Sequence, residues 1–403
     1  MKVLFFTASF PPPAAGGSVE YIFNIISNLP PESVEVHTGN AEPDFALEFD
    51  RSFPQNIIRH SYIIHVVDGF KASKLDRLRE YLLWPASCMI SVLMNRPDVI
   101  HIGEYNISGL AALAAYKLFK IPYVLYTYAE EITYLGTRPL HNKLFLAVLK
   151  NAEAVITVSE YTRDLLTARG ADPARIHKIL PAVGHQKITN SSSEELELTR
   201  GKFGLNGKKV LLTVGRLVER KGHDVLIKAL PSIIQSYPTT HYVIVGSGPQ
   251  ENVLKKLVSE MLLDSHVTFT GRLDDKELGN LYEICDIFIM PHRLIVSTMD
   301  TEGCPTVFLE AGAHSKPVIG GNAGGVADAI LDGKTGYIVD GTDEDALAEK
   351  ILHLFKHPEL MTKMGAAGRQ YTSTLTPERN GDAVRRLSEE LINNRSCKQN
   401  KAI

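Results

Sequence analysis

Short apolar runs alternate with longer amphipathic stretches along most of the chain. The apolar runs are rich in β-branched residues and lie at 2–8, 34–39, 98–103, 122–128 and 154–159, then at 210–216, 241–248, 267–272, 286–292, 317–321 and 336–340. The stretches between them, such as 223–237 and 342–355, repeat their apolar positions with the period of a helix. Strands that are apolar throughout are buried on both faces, so this alternation is typical of parallel sheets covered by helices. We predict an α/β protein in which the strand series occurs twice, as two doubly wound parallel-sheet domains.

A polar, serine-rich segment at 185–204 separates the two strand series. We interpret it as a linker or surface excursion and predict a boundary near 185–200, between domains over 1–185 and 200–375. The pattern at 376–394 predicts a last amphipathic helix, which can pack back on the first domain, and 395–403 is interpreted as a frayed tail. Two such domains suggest a cleft between them, with ligands outside the carboxyl ends of the strands.

The composition is that of a soluble globular protein, with 44% hydrophobic and 22% charged residues over 403 positions. A net charge of −3 excludes a globally basic nucleic-acid binder. The four cysteines are scattered without metal-ligand spacing, as expected in a reducing compartment. Neither a signal peptide nor an apolar run of transmembrane length is evident. We expect a cytoplasmic protein that can lie on the inner face of the cell membrane.

The segment "GRLVERKGHD" at 215–224 follows an apolar strand and carries three cations, Arg216, Arg220 and Lys221. Because desolvating a charge is costly, cations at the end of a buried strand suggest an anionic ligand. Guanidinium and ammonium groups suit phosphate oxygens. The alternative is a solvated turn with incidental charges.

Two glutamates flank a Gly-Cys-Pro turn in "TEGCPTVFLEAGAH" at 301–314. Pro305 interrupts any helix between them, so we place Glu302 in a loop and Glu310 in the first turns of the following helix. A carboxylate among apolar neighbours needs polar partners, and sugar or ribose hydroxyls would serve. The alternative, a glutamate on the surface of an amphipathic helix, accounts less well for a pair placed around this turn.

Glycines mark other strand ends, in Gly16-Gly17, in "VGSGP" at 245–249 and in "GGNAGG" at 320–325. A glycine pair that opens a helix exposes backbone N–H groups to phosphate, although it is also a common tight turn. No GxGxxG with a following acid occurs, which disfavours an oxidoreductase. The acidic "DED" at 343–345 is interpreted as a helix cap, and no metal site is predicted.

Taken together, the segments at 10–21, 215–227, 245–249, 267–273, 290–311 and 316–325 resemble the retaining glycosyltransferases of family 4. The likeness covers most of the chain, and within the family it is greatest to the bacterial phosphatidylinositol mannoside mannosyltransferases. It implies the GT-B architecture, two Rossmann-like domains facing across a cleft. The first would bind the acceptor and the second the nucleotide sugar.

The resemblance also implies a role for each matching residue. Arg216 and Lys221 match the pair that binds the diphosphate of the donor and stabilises the leaving nucleotide. Glu302 matches the acid that touches the transferred sugar, and Glu310 matches the carboxylate that holds the ribose hydroxyls. Further donor contacts are implied at Gly16, Gly17, Gly215, Gly246, Gly248, Arg272, Leu273, Gly303, Cys304, Pro305, Thr306 and Val307.

One stretch departs from the family pattern. In "YTYAEE", Tyr128 stands where members often carry a histidine, while Glu131 is kept in register. A tyrosine can hydrogen-bond a sugar hydroxyl, so both residues are candidates for contact with the sugar or acceptor. The substitution leaves the contribution of the first domain to the chemistry open.

The expected reaction is transfer of a hexose from GDP-mannose or a UDP-hexose. Fixed cations, without a metal or other cofactor, would stabilise the charge that develops on the departing phosphate. We expect front-side substitution with retention, in a pathway of cell-envelope or polysaccharide synthesis. Two alternatives stay open: a UDP-sugar epimerase, which shares the fold, and a noncatalytic sugar-nucleotide-binding protein, which is a different class of protein.

A basic and apolar stretch at 70–97 suggests a lipid-linked acceptor. Lys71, Lys74, Arg77 and Arg79 precede "YLLWPASCMISVLM", which holds Trp84, and 138–151 is a second stretch of this kind. Cations beside an aromatic-apolar segment suit an anionic membrane surface. The alternative is that both stretches pack on the sheet of the first domain.

Overall fold

The computed structural model describes residues 1–12, 16–39, 43–61, 74–103, 105, 108–135, 139–188 and 190–400. Within the stretches discussed above, residues 13–15, 70–73, 138, 189 and 401–403 lie outside the described residues, and these include Pro13, Lys71 and Arg138. The chain divides into two compact units. Unit 1 comprises Met1–Pro181 and Pro377–Ile403, and unit 2 comprises Ala182–Thr376.

Unit 1 is built on a parallel sheet whose described strands follow the order β3-β2-β1-β4-β5-β6-β7. They are β1 (Val3–Phe6), β2 (Val34–Gly39), β3 (Asn56–His60), β4 (Val99–Ile102), β5 (Tyr123–Thr127), β6 (Ala154–Thr157) and β7 (Ile176–Lys178). The central strands β1, β4, β5 and β6 are buried along their whole length, because helices cover both faces of the sheet. The chain order reverses direction between β1 and β4.

The helices described in unit 1 before the crossing to unit 2 are α1 (Gly17–Ser27), α2 (Pro43–Ser52), α3 (Lys74–Asn95), α4 (Ser108–Phe119), α5 (Glu130–Leu135), α6 (Pro139–Asn151) and α7 (Glu160–Ala168). Their inner faces form one core with the sheet. Trp84, 1% exposed, packs in that core from α3, with Cys88 and Val92 one and two turns further on. Trp84 is therefore a core residue and does not belong to the exposed surface.

Unit 2 repeats the arrangement, and its described strands follow the order β10-β9-β8-β11-β12-β13, all parallel. The strands are β8 (Lys209–Val214), β9 (Thr240–Val245), β10 (Val267–Gly271), β11 (Ile287–Met290), β12 (Val318–Gly321) and β13 (Gly336–Val339). The helices are α8 (Ser193–Lys202), α9 (His223–Ser236), α10 (Glu251–Glu260), α11 (Asp275–Ile284), α12 (Thr306–Ala313), α13 (Glu344–Lys356) and α14 (Pro358–Thr372). The chain order reverses between β8 and β11.

The last helix, α15 (Pro377–Asn400), returns to unit 1 and packs on α1. A buried series of hydrogen bonds connects α15 to the sheet of unit 1. Ser388 Oγ donates to Val384 O at 2.7 Å and accepts from His101 Nε2 at 3.0 Å, and His101 Nδ1 then accepts from Tyr126 O–H at 3.0 Å. The buried polar side-chain atoms of Ser388, His101 and Tyr126 in this series of hydrogen bonds thus all have partners.

The two doubly wound parallel sheets confirm the predicted fold class. Three expectations need correction. Strands β3 and β7 lie at the sheet edges and were not predicted, and the segment at 185–204 contains α8. That helix begins with a capping box, in which Ser192 and Glu195 bond each other's backbone N–H groups. The predicted frayed tail is helical as far as Asn400. Asp343 caps α13 as predicted, accepting from Ala346 N at 2.9 Å.

Candidate functional site

The candidate residues of unit 2 gather at the carboxyl ends of β8 and β11. The turn at 215–222 follows β8, and the loop at 291–305 follows β11. These strands are neighbours in the sheet, and the chain order reverses between them. That reversal is where open α/β sheets place their ligands.

Gly222 sets the shape of the cationic turn. Its φ is +71°, and a Cβ at this position would lie 2.0 Å from the carbonyl oxygen of Pro291. Arg293 N donates to Arg220 O at 2.8 Å, which ties the turn to the loop after β11. A glycine is required here because the two backbone segments touch, and their contact fixes the start of the Lys221 side chain.

Lys221 and Glu302, both predicted to be site residues, form an ion pair. Lys221 Nζ lies 3.0 Å from Glu302 Oε1, and the side chains are each 11% exposed. Arg220 Nε donates to the same oxygen at 2.6 Å, and Arg220 Nη1 lies 3.5 Å from Asp300 Oδ2. Two cations and two carboxylates thus share one largely buried cluster.

The charge state of Glu302 follows from this cluster. Burial by itself would raise the pKa of Glu302, but the charges of Lys221 and Arg220 outweigh it and lower the pKa from 4.5 to about 2. His292 acts in the same direction more weakly. Glu302 is therefore ionised at neutral pH, which suits a partner of cations and hydroxyls and does not suit a general acid.

The loop that carries Glu302 leads into α12. Gly325 N donates to Glu302 O at 3.0 Å, so the backbone of the loop is held as well as the carboxylate. Pro305 is buried and precedes the helix, as expected, and α12 begins at Thr306. The remaining predicted donor contacts of this segment, all half-buried, are Gly303, Cys304, Thr306 and Val307.

Glu310 lies in α12 with a side chain that is 5% exposed. Tyr282 O–H donates to its Oε2 at 2.9 Å, and Lys187 Nζ lies 3.4 Å from its Oε1. Glu310 therefore lies in the helix and Glu302 in the loop, as the proline between them predicts.

The glycines after β8 and β9 bring the turn against the neighbouring strand end. A Cβ on Gly246 would lie 2.0 Å from Gly215 O, and one on Gly248 would lie 2.5 Å from Leu217 O. Gly215 also lies against Lys221, since a Cβ there would be 3.6 Å from Lys221 Cε. These close approaches make the strand ends one continuous backbone surface around the lysine.

The other predicted residues of unit 2 are more peripheral. Arg272 is exposed, with its Nε 3.1 Å from Ser247 Oγ, and Leu273 is half-buried. Arg216 is exposed at the start of the turn.

In unit 1, Gly16 and Gly17 are exposed at the start of α1. Tyr128 follows β5, and its O–H donates to Gly103 O at 2.6 Å. Glu131 accepts from Tyr128 N at 2.5 Å, so its carboxylate serves the backbone at the start of α5.

Sequence reasoning missed four members of this arrangement: Arg220 and Asp300 beside Glu302, and Tyr282 and Lys187 beside Glu310. Arg220 was visible as one of three cations but was not assigned a role. Tyr282 and Lys187 lie 28 and 123 positions from Glu310, and no local pattern joins them. Among the described residues, no three His, Cys, Asp or Glu side chains are grouped as metal ligands.

Comparisons with known proteins agree with this architecture. A family model described as "Glycosyltransferase Family 4" matches residues 15–187, and one described as "Glycosyl transferases group 1" matches residues 197–371. A GDP-mannose-dependent monoacylated alpha-(1-6)-phosphatidylinositol monomannoside mannosyltransferase of Corynebacterium glutamicum is 30% identical over 387 residues, which are 92% of this chain and 93% of that protein. A GDP-mannose-dependent alpha-(1-6)-phosphatidylinositol monomannoside mannosyltransferase of Mycolicibacterium smegmatis is 33% identical over 273 residues, 68% of this chain and 70% of that protein.

Solved structures share the fold at low identity. HepE of Anabaena, in complex with UDP, has a TM-score of 0.79 at 17% identity and covers 97% of this chain and 100% of its own. Sucrose-phosphate synthase of Thermosynechococcus elongatus has a TM-score of 0.80 at 20% identity, over 98% of this chain and 99% of its own. Two Rossmann-like units of this kind define a protein of the GT-B fold class. The chain belongs to the glycosyltransferases of family 4, and the resemblance noted from its motifs is confirmed.

Proposed function

We propose that the chain is a retaining hexosyltransferase that uses a nucleotide-diphosphate sugar, GDP-mannose or a UDP-hexose, without a metal. Its acceptor is a glycan or a lipid-linked molecule of cell-envelope or polysaccharide synthesis. The observation that carries the proposal is the cluster of Lys221, Arg220 and Glu302 at the strand reversal of unit 2. GDP-mannose is the donor to test first, because the relatives quoted above are named as GDP-mannose-dependent.

The cations supply what the reaction needs. As the glycosidic bond breaks, negative charge grows on the β-phosphate of the leaving nucleotide. Lys221 and Arg216 would stabilise that charge more strongly in the transition state than in the bound donor. We assign further contacts to the phosphates to the backbone of Gly303 to Val307. The donor contacts that the family resemblance implies for Gly16 and Gly17 stay predictions. Gly215, Gly246, Gly248, Arg272 and Leu273 are assigned to the nucleoside.

Glu302 and Glu310 are assigned to hydroxyl groups. A donor diphosphate must compete with Glu302 for Lys221, and Arg220 keeps Glu302 neutralised when that happens. With a pKa of about 2, Glu302 holds no proton to donate to a leaving group. Because both carboxylates are assigned to hydroxyl groups, neither is assigned as the nucleophile of a double displacement. We therefore infer front-side substitution, in which the departing phosphate takes the proton of the acceptor and the anomeric configuration is retained. Tyr128 and Glu131 remain candidates for acceptor contact from unit 1.

Ligand binding and turnover test the proposal separately. Thermal shift with GDP, UDP and their hexose conjugates identifies the nucleotide that stabilises the fold. Lys221→Ala and Arg216→Ala are each expected to lower turnover about 100- to 1,000-fold while unit 2 still folds. Lys221→Ala should also lower the melting temperature, because buried Glu302 loses a cation. Near-normal turnover in both variants would remove the assignment of these cations. Proton NMR of the product reports the anomeric configuration, and turnover unchanged by EDTA is expected.

The outer face of α3 supports contact with a membrane. Leu82, Leu83, Ile90, Leu93 and Met94 are 45–79% exposed and repeat at helical spacing on the side opposite Trp84. Arg79 is exposed on the same side, one turn before Leu82 and Leu83. We propose that this face lies on an anionic lipid surface and presents the enzyme to a lipid-linked acceptor. No helix among the described residues is both long and apolar enough to cross a bilayer.

Flotation with vesicles tests this part alone. The double variant Leu82→Ser, Met94→Ser is expected to lose binding to vesicles containing phosphatidylglycerol. Leu118→Ser, which changes an equally exposed leucine on α4, provides the matched control. Absence of wild-type binding to these vesicles would reject the membrane surface and leave the transferase activity to be judged by its own assays.

A further inference from the structure

Glu310 has two oxygens in two unlike environments. Oε2 accepts from Tyr282 O–H at 2.9 Å, which is a well-formed hydrogen bond. Oε1 lies 3.4 Å from Lys187 Nζ, beyond the usual distance for such a bond, and Lys187 is 21% exposed against 5% for Glu310. The first partner is fixed in the core, and the second can be displaced.

Packing holds the Tyr282 phenol in place. Tyr282 is 1% exposed, and its ring is stacked on His314, with centroids 5.2 Å apart and planes 14° from parallel. His314 Nδ1 donates to Glu310 O at 2.9 Å, because a carbonyl can only accept. Tyr282 comes from α11, whereas Glu310 and His314 belong to the chain at α12, so the phenol bond and the stacked ring join the two helices around one carboxylate.

We infer that Tyr282 is a positioning residue that fixes the rotamer of Glu310, so that Oε1 is the atom presented to a ligand hydroxyl. This rests on the proposed function, in which that hydroxyl belongs to the ribose of a nucleoside diphosphate. When the ribose binds, it replaces Lys187 at Oε1, while the Tyr282 bond to Oε2 persists. Without Tyr282 O–H, the carboxylate loses its fixed partner and turns toward Lys187.

A purely structural role makes a different prediction. If the Tyr282–Glu310 hydrogen bond only joined α11 to α12, its loss would weaken the binding of every ligand of unit 2 alike. If the bond positions Oε1, its loss weakens the binding only of ligands that carry ribose hydroxyls. Comparing a nucleoside diphosphate with its 2′,3′-dideoxy analogue separates the two roles, because the analogue keeps the base and both phosphates.

The experiment is calorimetric titration of the full chain with GDP or UDP, whichever stabilises it more, and with the matching dideoxy analogue. Wild type is expected to prefer the ribonucleotide at least tenfold. Tyr282→Phe should weaken binding of the ribonucleotide about tenfold, which is roughly the effect of one hydrogen bond to a charged group. It should leave the affinity for the analogue within about twofold of that of wild type. Tyr371→Phe is the matched control, since its O–H donates to Asp328 O at 2.7 Å in the same unit, and its preference should equal that of wild type.

A second variant guards against a folding defect. Glu310→Asp retracts the carboxylate from the phenol and should lose the same preference while still binding the analogue. Equal weakening of both ligands by Tyr282→Phe, or no weakening of either, overturns the positioning role. Wild type that binds nucleoside diphosphate without preferring ribose rejects the ribose assignment of Glu310. Wild type that binds neither nucleotide rejects the proposed function itself, and with it this inference.

Discussion

Removing Arg220 is expected to destabilise unit 2, because the buried carboxylate of Glu302 loses one of its two cationic partners. Arg220→Met deletes the donor that lies 2.6 Å from Glu302 Oε1 and keeps most of the apolar stem. Glu302 is then left with Lys221 as its one cation in the cluster, while Asp300 loses its contact 3.5 Å away. A buried carboxylate with fewer partners costs free energy, because water cannot replace the lost bond.

The pKa of Glu302 gives the magnitude. Its fall from 4.5 to about 2 favours the charged form by about 3 kcal/mol, at roughly 1.4 kcal/mol per pKa unit. Burial opposes the charged form of Glu302, and the charges of Lys221 and Arg220 are the two largest contributions that favour it. Losing one of them should therefore cost about 1.5–2 kcal/mol of unfolding free energy, less than the 3–5 kcal/mol typical of a buried pair that is broken completely.

Urea unfolding at pH 7, followed by circular dichroism, measures this loss. Arg220→Lys is the control, because it keeps the charge, and it should lose less than Arg220→Met. In a Glu302→Gln background, Arg220→Met should cost at least about 1 kcal/mol less than in wild type, since the charge to be neutralised has gone. An Arg220→Met chain as stable as wild type, or a loss of the same size in both backgrounds, would refute the reasoning.

Three further predictions concern the scaffold. Ser388→Ala leaves His101 Nε2 without its buried acceptor and should cost about 1–3 kcal/mol in urea unfolding, whereas Ser396→Ala on the exposed side of the same helix should cost almost nothing. Burial lowers the pKa of His101 from 6.5 to about 3, so the neutral ring stabilises the fold above pH 6.5 and that stability is lost as the pH falls toward 3. Between pH 7 and pH 5 this amounts to about 2 kcal/mol, which should be absent in His101→Asn; an unchanged pH slope in that variant would contradict the assignment. Gly222→Ala and Gly207→Ala both place a side chain at φ near +70°, but a Cβ at Gly222 meets a backbone carbonyl at 2.0 Å and one at Gly207 meets nothing within 4 Å. Gly207→Ala should lower stability by about 1 kcal/mol and Gly222→Ala by clearly more, with equal losses counting against the contact.

The central strands could be predicted because strands buried on both faces consist of uninterrupted apolar residues. Strand β3 escaped prediction because it lies at a sheet edge, where polar residues such as Asn56, Arg59 and His60 are tolerated. Helix α8 was hidden inside a polar segment, although Ser192 and Glu195 form a capping box that sequence spacing alone can reveal.

The candidate site was predictable to the extent that each residue follows a strand. Lys221 and Glu302 were both identified in this way, and the structure brings them within 3.0 Å. Their mutual pairing was not predictable, because the distance between two loops depends on how the whole sheet is wound. Tyr282 escaped for the same reason, since it meets Glu310 only after α11 and α12 have packed.

In the sequence, unit 2 is an insertion between two segments of unit 1. Unit 1 is assembled from two separate segments, Met1–Pro181 and Pro377–Ile403, so the complete unit 2 is synthesised between them. During translation, unit 2 can reach its native state while unit 1 still lacks the segment that covers α1 and caps His101. A nascent chain stalled before Pro377 would therefore expose apolar surface on unit 1, which is completed only after the whole of unit 2 has been synthesised.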